Sequence, residues 1–161
     1  MPRGRQQAPP SAIDYVTGDI LANENNARAF AFGCNAEGVM NTELTLKFRH
    51  KYPDLHEEYL RRCHAEPAEF DVGDVMKWRT REGMWVFVLG TQADQYLSLA
   101  SSKQIDQAFQ HLREQVDAEN IDSIAMPPIG GGVGALRWAH SRRSLERAFK
   151  GWKGKLYVYM K

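Results

Sequence analysis

The residues best suited to chemistry form the run Ile129-Gly130-Gly131-Gly132-Val133-Gly134. The apolar segment Ser123-Ile124-Ala125-Met126-Pro127-Pro128 precedes it, and a helix is expected to begin near Arg137. Glycines let the backbone approach a ligand and adopt dihedrals that a Cβ would forbid. Successive free N–H groups beside a helix N-terminus form a concave anion trap. This points to a phosphate or diphosphate ligand, against the plainer reading of a flexible turn. The run does not fit the GxxxxGK[ST] pattern, because Ala135 and Leu136 occupy the Lys and Ser/Thr positions. Nor is it a convincing GxGxxG opening, since no second nucleotide-binding unit follows it.

Two other loops join it. Ile13-Asp14-Tyr15-Val16-Thr17-Gly18-Asp19-Ile20 reads as a short strand ending in a Gly-Asp turn. Ala29-Phe30-Ala31-Phe32 reads as a buried strand that ends in Gly33-Cys34-Asn35-Ala36-Glu37-Gly38-Val39-Met40 and leads to a helix.

The order and spacing of these segments resemble a macro domain, the ADP-ribose-binding module. The closest subgroup is that of the terminal ADP-ribose protein glycohydrolases and the DNA ADP-ribosyl glycohydrolase antitoxins. The matching pieces are Gly18-Asp19-Ile20, Asn35 with Gly38-Val39-Met40, and Met126 to Val133 followed by Leu136-Arg137-Trp138. The terminal Leu156-Tyr157-Val158-Tyr159 strand also fits. The resemblance spans Ile13 to Lys161 and implies ADP-ribose, or an ADP-ribosylated protein or nucleic acid, as the partner.

The resemblance also suggests roles. Asp19 accepts from the adenine amino group or, in the alternative, makes an Asx turn with Gly18. It sits beside Ile20 at the adenine end. Asn35 has the donors and acceptors for a ribose diol, or it braces its own loop. Ile129, Gly130, Gly131, Gly132, Val133 and Gly134 hold the diphosphate through backbone N–H groups. Gly38, Val39 and Met40 form the opposite wall. Trp138 reads as a core anchor before a site aromatic; Tyr159 lies near the adenine or in the core.

The departures from the pattern concern catalysis. In the resembled hydrolases a Thr-Lys pair follows the central strand, and the lysine can attack the anomeric carbon. Here the stretch is Leu89-Gly90-Thr91-Gln92, and the carboxamide of Gln92 is a poor nucleophile. Some members carry an Asp after the glycine loop; Gly134 stands there, as glycine does in the antitoxin branch. The usually glycine-rich loop after Met40 reads Asn41-Thr42-Glu43. Two readings stay open. Asn41 caps a helix with Glu43 in its first turn, or Glu43 is a general base for water at the anomeric centre. The implied function is a glycohydrolase acting without a lysine intermediate, with a reader of ADP-ribose as the alternative.

The elements that must position these residues alternate. Leu44 and Phe48, then Leu55, Tyr59 and Cys63, recur at helical spacing, with Pro53 dividing two helices. Asp74–Arg79 and Met84–Leu89 flank Arg81-Glu82-Gly83 as a hairpin. Ser101 and Gln104 make a capping box for a helix with the stripe Ile105, Phe109, Leu112, Val116. A helix carrying Leu145 and Phe149 precedes the last strand. The expected fold is α/β, a mixed central sheet flanked by helices on both faces, with ligands outside the carboxyl ends of the strands.

Composition agrees. A chain of 161 residues, 43% hydrophobic and 25% charged, suits one soluble domain, residues 13–161, after a basic disordered lead-in, residues 1–12. A formal net charge of +1 makes no bulk case for nucleic-acid binding. The cluster Arg137, Arg142, Arg143 and Arg147 is a local patch or a solvated helix face. The two cysteines, Cys34 and Cys63, suggest a reducing, cytoplasmic setting. No span of membrane length and no secretory leader is found. The histidine spacing makes no metal site, and no cofactor is expected. The oligomeric state stays open.

Overall fold

The computed structural model describes residues 12–94, 100–129 and 135–160, and only the backbone of 135–137. The glycine run 130–134, and all of the expected lead-in but Ala12, lie outside the described residues.

Among the described residues there are six strands, β1 (Ile13–Val16), β2 (Ala29–Asn35), β3 (Val75–Arg79), β4 (Trp85–Gln92), β5 (Ser123–Met126) and β6 (Lys155–Tyr159). They form one sheet in the order β1-β6-β5-β2-β4-β3. All pairings are parallel except that of β3 with β4. The helices are α1 (Glu43–Lys51), α2 (Pro53–His64), α3 (Ser102–Ala118) and α4 (Ala135–Ala148).

Period-two alternation divides the strands between two cores. Ala29, Ala31, Phe87 and Leu89 face Ile105, Phe109, Leu112, Val116 and Leu145, so α3 and α4 cover that side. Phe30, Phe32, Val86 and Val88 face Phe48, Leu55 and Tyr59, so α1 and α2 cover the other. The sheet is therefore mixed and covered by helices on both faces, as the alternation implied.

Several boundaries differ from expectation. β2 continues through Asn35 and does not stop at Phe32, because β4 pairs with it along its whole length. The hairpin strands are Val75–Arg79 and Trp85–Gln92, so β4 runs three residues past Leu89. Glycine is required at 90, where a Cβ would come within 2.3 Å of the Asp71 carbonyl oxygen. α4 begins at Ala135, before Arg137. Asn41 does not cap α1. Thr42 does, in a reciprocal box in which Thr45 N donates to Thr42 Oγ1 (3.2 Å) and Thr42 N donates to Thr45 Oγ1 (3.0 Å). Glu43 is in the first turn, as expected. Pro53 opens α2 and Ser101 caps α3 with Gln104, both as expected.

Candidate functional site

Because β1, β6, β5, β2 and β4 run parallel, the loops after β1, β2 and β5 leave the same edge of the sheet. The loops after β1 and β5 border a cleft of about 510 Å³ there; the loop after β2 does not line it, and α1, which follows that loop, does. The turn after β1 supplies Gly18, Asp19 and Ile20, and α1 supplies Glu43, Leu44 and Lys47. Pro127 and Pro128 come from the loop after β5, and Tyr159 and Met160 from the end of β6.

Asp19 is exposed and caps a 3-10 turn, Ile20–Ala22. Its Oδ1 accepts from Leu21 N at 3.1 Å, so the expected turn chemistry runs forward to Leu21 and not back to Gly18. Ile20 is 5% exposed and anchors the turn in the core while bordering the cleft. Glu43 is exposed in the first turn of α1 and faces the cleft that Asp19 faces. Tyr159 is buried, as its core reading expected, and also lines the cleft; its hydroxyl accepts from Asn25 Nδ2 at 3.5 Å.

The loop after β2 is fastened from several directions. Asn35 is buried, and its Nδ2 donates to the Val39 carbonyl at 2.7 Å. Its Oδ1 accepts from Glu37 N and Val39 N, both at 3.1 Å. The Tyr59 hydroxyl of α2 is shared between Asn35 O (2.6 Å) and Asn35 Oδ1 (2.9 Å). His64 Nε2 lies 2.9 Å from the Glu37 carbonyl oxygen. Gly38 has φ +92°, and a Cβ there would meet His64 Nε2 at 3.0 Å. Asn35 thus acts on the loop in the way its second reading described. Met40 and Ile129 are both buried in the core, and neither lines the cleft.

Cys34 and Cys63 are free thiols beside Tyr59. Burial pushes Cys34 from its ordinary 9.0 up to about 11, opposed by the Tyr59 hydrogen bond. Burial also pushes Cys63 up to about 11. Burial raises Tyr59 above its ordinary value too, aided by the Cys34 charge. At neutral pH these groups are protonated and serve as hydrogen-bond partners.

Thr91 and Gln92 close β4. A bulge pairs Cys34 with Gly90 and Asn35 with Gln92, which leaves Thr91 over. Thr91 folds onto β2, where a Cβ on Gly33 would lie 2.6 Å from its Oγ1. The Gln92 carbonyl accepts from Ala36 N at 2.9 Å, joining the end of β4 to the β2 loop.

A Macro domain family model matches residues 32–145. The chain belongs to the macro domain family. A curated relative, the DNA ADP-ribosyl glycohydrolase of Thermus aquaticus, is 23% identical over 91% of this chain. Its counterpart in Mycobacterium tuberculosis is 25% identical over 86% of the chain. The chain spans about two fifths of these relatives' length, 41% and 39%. The solved macrodomain of Mycobacterium tuberculosis DarG superposes with a TM-score of 0.81 at 25% identity, covering 92% of this chain and 97% of that one. The structure of Thermosipho africanus DarTG in complex with ADP-ribose gives a TM-score of 0.77 at 19% identity, covering 92% of this chain and 41% of that one.

Within this macro domain the cleft adds Leu44, Lys47 and Met160, which the motifs did not include, and Pro127 and Pro128, which lie in the Met126–Val133 motif but were given no role. Lys47 was legible in principle, because it lies four residues after Glu43 on the same helical face. Met160, 43% exposed beside a site aromatic, carried no periodic signal. Two members of the arginine patch are ion-paired, and the side chain of Arg137 lies outside the described residues. Arg142 Nε lies 3.3 Å from Glu146 Oε1, and Arg147 lies 3.3 Å from Asp106. Among the described residues, no cluster of His, Cys, Asp and Glu is arranged to hold a metal, and no helix is long and apolar enough to cross a membrane.

Proposed function

We propose that this macro domain binds ADP-ribose in the cleft and acts as a glycohydrolase that releases it from a modified macromolecule. The observation that carries the proposal is the pair of exposed carboxylates, Asp19 and Glu43, facing one cleft at the carboxyl edge of the sheet. The family, and relatives named as DNA ADP-ribosyl glycohydrolases, support the same reading. Asp19 accepts from the adenine amino group, with Ile20 and Tyr159 beside the base. Gly130, Gly131, Gly132, Val133 and Gly134, with Ile129 before them, offer backbone N–H groups to the diphosphate. Gly38, Val39 and Met40 form the far wall, which Asn35 holds in shape. Thr91 and Gln92 bound the distal ribose.

In the chemical step Glu43 takes a proton from a water molecule whose oxygen attacks the anomeric carbon. The glycosidic bond breaks, and its electron pair leaves with the macromolecule. The neutral carboxamide of Gln92 forms no covalent intermediate. That same residue favours a second reading, in which the domain only reads ADP-ribose.

The test is incubation with ADP-ribosylated DNA and with ADP-ribosylated protein, followed by chromatography of free ADP-ribose. Glu43→Gln should keep most affinity and lose about a hundredfold or more of turnover, the contribution of a placed general base. Borohydride should trap no adduct. A parent that binds ADP-ribose and releases none from either substrate is a reader.

A further inference from the structure

α1 carries Glu43, Lys47 and Lys51 at four-residue intervals, which aligns them on one stripe. Glu43 and Lys47 line the cleft. Lys51 lines a separate recess of about 720 Å³, where the α1–α2 junction meets the β3–β4 turn. The rise of a helix separates Glu43 from Lys51 by about 12 Å, a span of a few nucleotides.

The recess has an aromatic floor. Tyr52 and Trp78, both half-buried, lie 5.7 Å apart at ring centroids and tilt by 58°. Lys51 Nζ stands 5.6 Å from the Tyr52 centroid and donates to the Leu21 carbonyl at 3.4 Å, in the turn that Asp19 caps. Exposed Arg81 is a second cation, and Asp54 and Glu82 add carboxylates to the lining. Among the described residues, no ion pair joins Lys51 or Arg81 to those carboxylates.

We propose that this recess is a second binding site, which takes the bases of a single-stranded nucleic acid. Half-buried rings that border an open recess beside cations suit an unpaired strand. Every base presents a face for stacking, and Lys47, Lys51 and Arg81 meet its phosphates. Asp54 and Glu82 accept from exocyclic amino groups. A duplex, its bases already stacked on one another, gains nothing from Tyr52 and Trp78. An acidic peptide brings neither base faces to stack on Tyr52 and Trp78 nor exocyclic amino groups for Asp54 and Glu82. The site deepens the glycohydrolase reading and rests on it in one respect: a strand leaving the cleft along α1 would reach this recess.

The probe is a labelled, unmodified deoxyadenosine oligonucleotide of about 12 nucleotides, a length within the usual site sizes, measured by anisotropy at low salt. The strand should bind the parent more tightly than a duplex of equal length, weaken with salt, and stay bound in excess ADP-ribose. The double variant Lys51→Glu/Arg81→Glu should lose about tenfold or more of strand affinity. Tyr52→Leu should also weaken the strand while ADP-ribose affinity is kept. A parent without strand affinity, a preference for the duplex, or unchanged binding in both variants overturns the site. A parent that binds the strand in this pattern but not ADP-ribose leaves the recess standing and overturns the cleft reading instead.

Discussion

Asp19 divides its carboxylate between the protein and the cleft. Oδ1 caps the 3-10 turn through Leu21 N, and the residue remains exposed on the cleft wall. Two substitutions separate those duties. Asp19→Asn keeps an acceptor for Leu21 N, so its thermal stability should stay within about 0.5 kcal/mol of the parent. It offers an amide where adenine needs an acceptor, so ADP-ribose affinity should fall by about tenfold to a hundredfold. Asp19→Ala should lose that affinity together with about 0.5–2 kcal/mol of cap stability. Calorimetry and thermal melts read both quantities; an Asp19→Asn variant that binds like the parent reduces Asp19 to turn chemistry. At this scale the sequence was informative about residue type and less so about contact. Asn35 was legible as a polar residue at a strand end. Its bonds to Glu37 and Val39 are local, whereas its hold by Tyr59 depends on a helix 24 residues away.

Among the elements, the loop after β2 depends on α2. Tyr59 holds Asn35, and Asn35 holds Glu37 and Val39. Tyr59→Phe should therefore cost about 1–3 kcal/mol, because it leaves a buried acceptor without its donor, and should also weaken ADP-ribose binding. The same cluster makes the fold sensitive to alkali. Cys34 and Cys63 have folded pKa values near 11, above their ordinary 9.0, and Tyr59 is raised above its ordinary 10.0. Groups raised in this sense contribute stability that is complete below pH 9. It declines as pH rises from 9 to 11, because the unfolded chain releases their protons first. Denaturation midpoints should fall across that window. The fall above pH 10, where Tyr59 joins, should be shallower in Tyr59→Phe. Equal slopes for parent and variant would contradict this account. The helices themselves were legible from apolar spacing, from Pro53 and from the Ser101–Gln104 box. The cap of α1 was not: Asn41 precedes Thr42, and a Thr–Thr box lacks the usual Glu or Gln three residues on.

For the whole molecule, the alternation of strands and helices announced a covered sheet, and the order of three loops announced the family. The sheet order β1-β6-β5-β2-β4-β3 was not legible, since it brings the two ends of the chain together through pairing 143 residues apart, Ile13 with Leu156. That pairing sets Tyr159 and Met160 beside Asp19 and completes the cleft. The cleft is thus a product of the entire fold, and its ligand is the central claim. The direct measurement is calorimetric titration of ADP-ribose into the parent, with adenosine and ribose 5-phosphate titrated separately. One molecule of ADP-ribose per chain should bind, at least about a hundredfold more tightly than either fragment, since base and diphosphate are held together. Absence of heat and of any thermal stabilisation at millimolar ADP-ribose, or equal affinity for adenosine alone, would contradict the account.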